Sequence, residues 1–178
     1  MGNSRKILII DDDDELRDSL SEQLSLHEEF DTMLAANASD GLKLARNGHV
    51  DLVLLDVGLP DLDGREACKL LRRSGFKGPV VMLTGQASDA DTILGLESGA
   101  NDYVTKPFKL GVLLARIRAQ LRQHEQSEDA VFTIGPYTFK PASKLLVDSA
   151  GGKIRLTEKD PSQAELPITE TGGYKLVP

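Results

Sequence analysis

The sequence predicts an α/β protein built on a doubly wound, five-stranded parallel sheet and followed by a small antiparallel β segment. Three observations predict it. Over the first 124 residues, short apolar runs of strand length alternate five times with stretches of helical period. The strand runs are apolar throughout rather than every second residue, as strands covered on both faces require. Four of the five runs also end in chemistry: Asp11 and Asp12 after the first, Asp56 at the third, Thr84 at the fourth and Lys106 at the fifth. In open α/β sheets, ligands sit just beyond those carboxyl ends.

The elements follow in order. "RKILII" (5–10) is β1, and "DELRDSLSEQLSL" (14–26) is α1, with Leu16, Leu20 and Leu24 at helical spacing. "FDTMLAA" (30–36) is β2, and "ASDGLKLARNG" (38–48) is α2, started by Ser39 and ended by Gly48. "DLVLLD" (51–56) is β3, "REACKLLRRSG" (65–75) α3, "PVVMLTG" (79–85) β4 and the weaker "DADTILGLESG" (89–99) α4. "DYVTK" (102–106) is β5. "LGVLLARIRAQLRQHEQ" (110–126) is α5, with Leu110, Leu113, Leu114, Ile117 and Leu121 on one face.

Composition narrows the function. A chain of 178 residues with net charge -7 is a poor general ligand for nucleic acid or anionic membrane. Its apolar runs are shorter than a membrane span, and residues 1–6 lack signal-peptide architecture. The single cysteine, Cys68, has no internal partner, which fits a reducing cytoplasm and reads as a buried, inert thiol.

The "IIDDDDE" junction needs an explanation of its own. Two bare carboxylates about 4 Å apart cost on the order of 4 kcal/mol at an effective dielectric of 20. With strand order 2-1-3-4-5, β1 and β3 are neighbours, and Asp11, Asp12 and Asp56 converge in one crevice. Such a crevice demands a divalent cation. Magnesium suits it: hard, octahedral, content with a few oxygens and water, and inclined to share a phosphate. Thr84 and Lys106 complete a cradle for a phosphoryl group on Asp56.

"ILIIDDDDELR", "DLVLLDVGLPDLDG", "VVMLTG" and "DYVTKPF" together resemble the four signature segments of bacterial response-regulator receiver domains, over about residues 5–124. The resemblance implies a flavodoxin- or CheY-like fold, with Asp56 as phosphoacceptor and a sensor histidine kinase as phosphodonor. It implies Mg2+, with Mn2+ as a substitute, on Asp12 directly, on Asp11 mainly through water, on Asp56, and on the backbone carbonyl of Gly58. Thr84 and Lys106 would contact the phosphoryl oxygens, Tyr103 would be the aromatic switch, and the peptide before Pro107 would be cis. A homodimer through the α4-β5-α5 face would use Glu97, Asp102, Arg116, Arg118 and Arg122. Ala87, Leu94 and Val112 stand where the family usually has charged partners there, and Asn101 replaces one of its two acids before the tyrosine. Asp13 and Asp14 match no site role and read as residues opening α1, favoured by the helix dipole.

Other readings of the same residues are weaker. "DDDDE" alone is most often a solvated helix start. A calcium loop would need glycine where Leu16 stands. "GGK" at 151–153 is a hairpin turn that lacks the earlier glycine of a P-loop. A haloacid-dehalogenase-type phosphatase would place a second acid two residues after the nucleophile, where this chain has Gly58. The expected role is therefore a phosphorylated switch with at most slow self-dephosphorylation, not an enzyme. A stand-alone phosphate sink or protein-interaction switch is the alternative.

After a polar linker (125–130), "VFTIG", "YTFK", "KLLVD" and "KIRLT" read as an antiparallel meander (131–157). This stretch resembles the start of an OmpR/PhoB-type DNA-binding domain, and "ITETGGYKLVP" its closing hairpin (166–178). Between Thr157 and Ile168 lie only ten residues, with Pro161 and Pro167, where the family has three helices including the one that enters the major groove. The expectation is a truncated effector (131–178) whose apolar face is Phe132, Ile134, Phe139, Val147, Ile154 and Leu156. Specific DNA binding is not expected, because Lys140, Lys144, Lys153, Arg155, Lys159 and Lys175 are nearly balanced by Asp148, Glu158, Asp160, Glu165 and Glu170.

Overall fold

The structure is a computed structural model, and it describes residues 4–85, 93, 96–143, 145–148 and 151–155. The chain divides into two compact units, Met1–His124 and Glu125–Pro178. The first holds β1 (Arg5–Ile10), β2 (Phe30–Ala35), β3 (Leu52–Asp56), β4 (Val80–Thr84) and β5 (Asp102–Thr105) in one parallel sheet of order β2-β1-β3-β4-β5. Helices α1 (Asp14–Ser25), α2 (Ala38–Asn47), α3 (Gly64–Arg73) and α5 (Leu110–Glu128) flank it. Of the expected α4 (89–99), residues 93 and 96–99 are described: Ile93, Leu96 and Glu97 are helical, and Ser98 and Gly99 form a turn; Ala87 and Leu94 lie outside the described residues.

The uniform greasiness of the strands is explained by their alternation. Ile7 and Ile9 of β1, with Leu52, Leu54, Val81, Leu83 and Val104, face Leu20 and Leu24 of α1 and Leu113, Leu114, Ile117 and Leu121 of α5. Leu8 and Ile10, with Val53, Leu55, Val80 and Met82, face Ala38 of α2 and Ala67, Cys68 and Leu71 of α3. Two cores on one sheet leave no exposed position in the inner strands β3 and β4, while the edge strands β2 and β5 keep polar positions such as Asp31 and Thr105 exposed. Cys68 is fully buried in the second core, and burial pushes its thiol up, against reactivity.

Caps fix where the helices begin. Asp13 is the N-cap of α1, its carboxylate accepting from Leu16 N at 3.0 Å, and Asp14 and Glu15 occupy the first turn. The start of α2 differs from the expectation at Ser39. The cap is Asn37, whose side chain accepts from Asp40 N at 2.8 Å, so the cap lies two residues before Ser39 and the helix opens at Ala38. Asp63 caps α3 through Arg65 N, and the Arg65 guanidinium beside it holds its carboxyl below the usual range. Gly64 follows because nothing larger fits: a Cβ there would stand 2.2 Å from the Asp56 carbonyl oxygen.

At the opposite end of the sheet, Arg72 of α3 is spread over neutral acceptors. Its guanidinium donates to the carbonyls of Gly99 (2.8 and 3.0 Å), Gly78 (2.6 Å) and Phe76 (3.1 Å), and to Asn101 Oδ1 (2.7 Å). Asn101 Oδ1 also accepts from Val80 N, so the entries to β4 and β5 are tied together.

Two expectations in the second unit need correction. Helix α5 runs to Glu128, through the first four residues of the expected linker. The meander is present as β6 (Phe132–Ile134), β7 (Tyr137–Lys140), β8 (Leu145–Asp148) and β9 (Lys153–Arg155), antiparallel and in sequence order. Its register pairs Phe132 with Phe139 and Phe139 with Leu146. Opposite residues share a face, so Leu146 joins these phenylalanines and Val147 points the other way. The expected face had Val147 in that place. Gly135 and Gly151 take positive φ at two of its turns. The expected hairpin at 166–178 and Leu156 lie outside the described residues.

The two-sided core gives a direct test. Leu54 is fully buried beneath α1 and α5, whereas Leu26 is 74% exposed. Leu54→Ala should cost about 2–5 kcal/mol, and Leu26→Ala should stay within about 0.5 kcal/mol of wild type. Urea denaturation followed by circular dichroism reads both.

Candidate functional site

Strand register assembles the site. Ile10 is paired with Leu55, Asp56 with Leu83 and Thr84 with Thr105. Asp11, one residue past Ile10, therefore stands level with Asp56, while Thr84 and Lys106 close the same edge from β4 and β5. Backbone bonds seal this edge: Asp11 N donates to Ala35 O (3.1 Å), Val57 N to Leu83 O (3.0 Å) and Lys106 N to Thr84 O (2.6 Å). A slip of one residue in any pairing would turn a site group into the core.

The charges meet at Lys106. Its Nζ donates to Asp11 Oδ2 at 2.7 Å and to Asp56 Oδ1 at 3.1 Å. Asp11 is fully buried, and its other oxygen accepts from Asp13 N at 3.0 Å. The Arg17 guanidinium holds the Asp11 carbonyl at 2.7 Å and pairs with Asp14. Burial raises the Asp56 carboxyl above the usual range, as do the neighbouring carboxylates, against the downward pull of Lys106. Burial alone would lower Lys106, but its bonds to Asp11 and Asp56 hold it above the usual lysine range.

One carboxylate oxygen from each of Asp11, Asp12 and Asp56 lies within 4.8 Å of the others. Three carboxylates against one ammonium leave two negative charges over, which a divalent cation balances. Oxygen-only donors, one of them on the exposed Asp12, suit a hard ion that keeps water. Gly58 lies beside this set, a Cβ built on it falling 3.6 Å from Asp56 Oδ2. The residues present fit the group.

The other predicted positions are placed as follows. Thr84 is buried at the end of β4. Tyr103 is half-buried, packed on the α2–α3 core and paired with Met82. The Lys106–Pro107 peptide is cis. Asp102 receives both contacts of Arg116 Nη1, at 2.8 and 2.9 Å. Glu97 and Arg122 are exposed. Arg118 does not join them: it donates to Glu29 at 2.7 Å and lies over the Phe30 ring, beside β2 at the far edge of the sheet. Helical spacing explains this, since two residues turn a side chain by about 200°.

Residues 7–118 match the response regulator receiver domain family. The chain belongs to that family. Its receiver domain is continued by sequence similar to transcriptional regulators. It is 43% identical over 155 residues to the DNA-binding response regulator MtrA of Mycolicibacterium smegmatis, covering 86% of this chain and 66% of that protein. It is 38% identical over 168 residues to the transcriptional regulatory protein PcoR of Escherichia coli, covering 94% and 74%. The chain thus spans just under two thirds of the length of MtrA. Among solved structures, the BeF3-activated receiver domain of Klebsiella pneumoniae RstA matches at 39% identity and TM-score 0.63, covering 67% of this chain and all of that one. A CheY-like receiver from Methanospirillum hungatei matches at 32% identity and TM-score 0.66, covering 70% and 98%. Among the described residues of the receiver and the second unit, no helix is long and apolar enough to cross a membrane.

Sequence reasoning missed Arg17, which steadies the Asp11 backbone, and Asp61, whose carboxylate accepts from Ala38 N and Ser39 N at 2.9 Å each. Asp61 is visible in "LPDLDG", but its partners lie over twenty residues away.

Removing the bridging ammonium tests the electrostatic account. Lys106→Met leaves two neighbouring acids uncompensated and should cost about 1–3 kcal/mol in chelator-treated protein. Millimolar Mg2+ should recover part of that loss and stabilise the variant more than wild type. Urea midpoints with and without the ion measure both.

Proposed function

We propose that this chain is the phosphoacceptor of a two-component relay, with Asp56 taking a phosphoryl group from a phosphohistidine on a sensor kinase. The observation that carries the reading is the Asp11–Lys106–Asp56 ion cluster, with Thr84 at the next strand end. An Asp56 oxygen attacks phosphorus in line as the P–N bond to histidine breaks, giving an acyl phosphate. Lys106 exchanges a carboxylate oxygen for a phosphoryl oxygen. Asp11, Asp12, Asp56 and the Gly58 carbonyl would hold Mg2+, or Mn2+ in its place, which supplies charge neutralisation for the phosphoryl oxygens when bound. The product adds about two negative charges. The Thr84 hydroxyl then turns toward it, and Tyr103 follows into the space vacated, carrying the change to the α4-β5-α5 face.

Acetyl phosphate with Mg2+ should add one phosphoryl group to wild type and none to Asp56→Asn, read by intact mass; equal labelling would refute the assignment. The same samples serve for association. On the β5 edge Arg116 is already spent on Asp102 of its own chain, Arg118 is turned to Glu29, and Val112 is exposed. Exposed ion pairs contribute only about 0.2–1 kcal/mol each. Phosphorylated protein should therefore form at most a weak dimer, and a tight one at low micromolar concentration in sedimentation velocity would contradict this.

The effector segment of the second unit (131–178) we read as OmpR/PhoB-type without its reader. Base recognition needs an element in a groove, and "EKDPSQAELP" is too short and too rich in proline to supply that family's three helices. In gel shifts with excess competitor DNA, no genomic fragment should be retained selectively. Selective retention would mean another surface reads the bases.

A further inference from the structure

The cation site is made from two separate loops. Asp11 and Asp12 follow β1, whereas Gly58 lies in the loop from Asp56 to Gly64. Both loops are referenced to one short segment, residues 35–41. Asp11 N is bonded to Ala35 O, and a Cβ on Gly41 would meet Ile10 Cδ1 at 2.3 Å, so α2 sits directly on the residue before Asp11. On the other side, the Asp61 carboxylate spans the first two amides of α2, one oxygen to Ala38 N and the other to Ser39 N. Those amides are unpaired within their own helix. The Asn37 cap does not serve them, because it takes Asp40 N. The paired amides hold the Asp61 carboxyl below its ordinary range.

Between Asp61 and Gly58 stand only Leu59, which is buried, and Pro60, whose ring fixes its own φ. A displacement of Asp61 is thus passed along a stiff, anchored path. At its far end, Val57 and Gly64 fasten the loop base through Gly64 N to Val57 O at 2.9 Å.

We infer that Asp61 is a positioning residue: by strapping the β3–α3 loop to the N-terminus of α2, it sets the distance between the Gly58 carbonyl and the Asp11–Asp12 pair, and so tunes affinity for the divalent cation. This rests on the cation reading above. Asp61 touches neither the ion nor the phosphoryl group. Its effect lies in where it holds the backbone.

The test is Mg2+ binding by isothermal titration calorimetry on wild type, Asp61→Ala, Asp61→Asn and Asn37→Ala. Asp61→Ala loses both strap bonds and should weaken binding roughly threefold to tenfold, below the ~10–100-fold typical of groups bonded directly to ligands. Asp61→Asn keeps one oxygen acceptor and should fall between. Asn37→Ala removes the cap of the same helix but leaves the strap, and should bind Mg2+ within about twofold of wild type despite losing about 1 kcal/mol of stability. Labelling by acetyl phosphate should show the same split: Asp61→Ala slower at low Mg2+ and restored when Mg2+ saturates. Wild-type affinity in Asp61→Ala, or an equal loss in Asn37→Ala, would overturn the inference. Failure of wild type to bind Mg2+ would instead overturn the cation reading, and the inference with it.

Discussion

Asp11 and Asp56 share a crevice in which two carboxylates repel strongly unless a cation stands between them, and the Lys106 ammonium stands there at 2.7 and 3.1 Å. Much of the receiver can be read as the support for that contact. Lys106 reaches it only because β5 is paired with β4 so that Thr105 lies opposite Thr84. Asp11 reaches it only because Ile10 pairs with Leu55. Those registers hold because each strand buries one alternate set of side chains under α1 and α5 and the other under α2 and α3. The core fixes the register, and the register fixes the charges.

That dependence explains why so much was legible in advance. A strand apolar at every position has only one home, a sheet covered on both sides. β3, β4 and β1 from Ile7 onward are of this kind; with the more polar β2 and β5 at the edges, the strand-end residues are placed too. Asp11, Asp12, Asp56, Thr84 and Lys106 needed no side-chain detail to be brought to one edge. Asp13 and Asp14 were equally readable, since acids that open a helix satisfy its first amides.

Longer-range and finer features were less legible, for identifiable reasons. Asp61 bonds amides more than twenty residues away, and no period in the sequence records a contact between two loops. Arg118 sits two places from Arg116, and only the packing of α5 shows that one meets Asp102 while the other meets Glu29. Val147 and Leu146 are both apolar, so composition cannot say which faces the phenylalanines; the strand pairing does. At α2, Asn37, Ser39 and Asp40 are all plausible caps, and the turn geometry chose Asn37.

The Arg72 cluster holds the amino end of the sheet by different electrical means from those at the phosphoryl site. At the carboxyl end, formal charges face one another, and a change of charge there alters every neighbour through an interaction that falls off as the inverse of distance. At the amino end, a guanidinium is satisfied by carbonyl and amide dipoles, without a carboxylate among its bonded partners. Charge–dipole interactions fade faster with distance and depend on orientation. The tie that Arg72 makes between the entries to β4 and β5 therefore depends less on formal charge than the site at their exits does, although Asp102, the first residue of β5, is itself ion-paired with Arg116. One end of the strand is anchored, and the other is free to answer a change in charge.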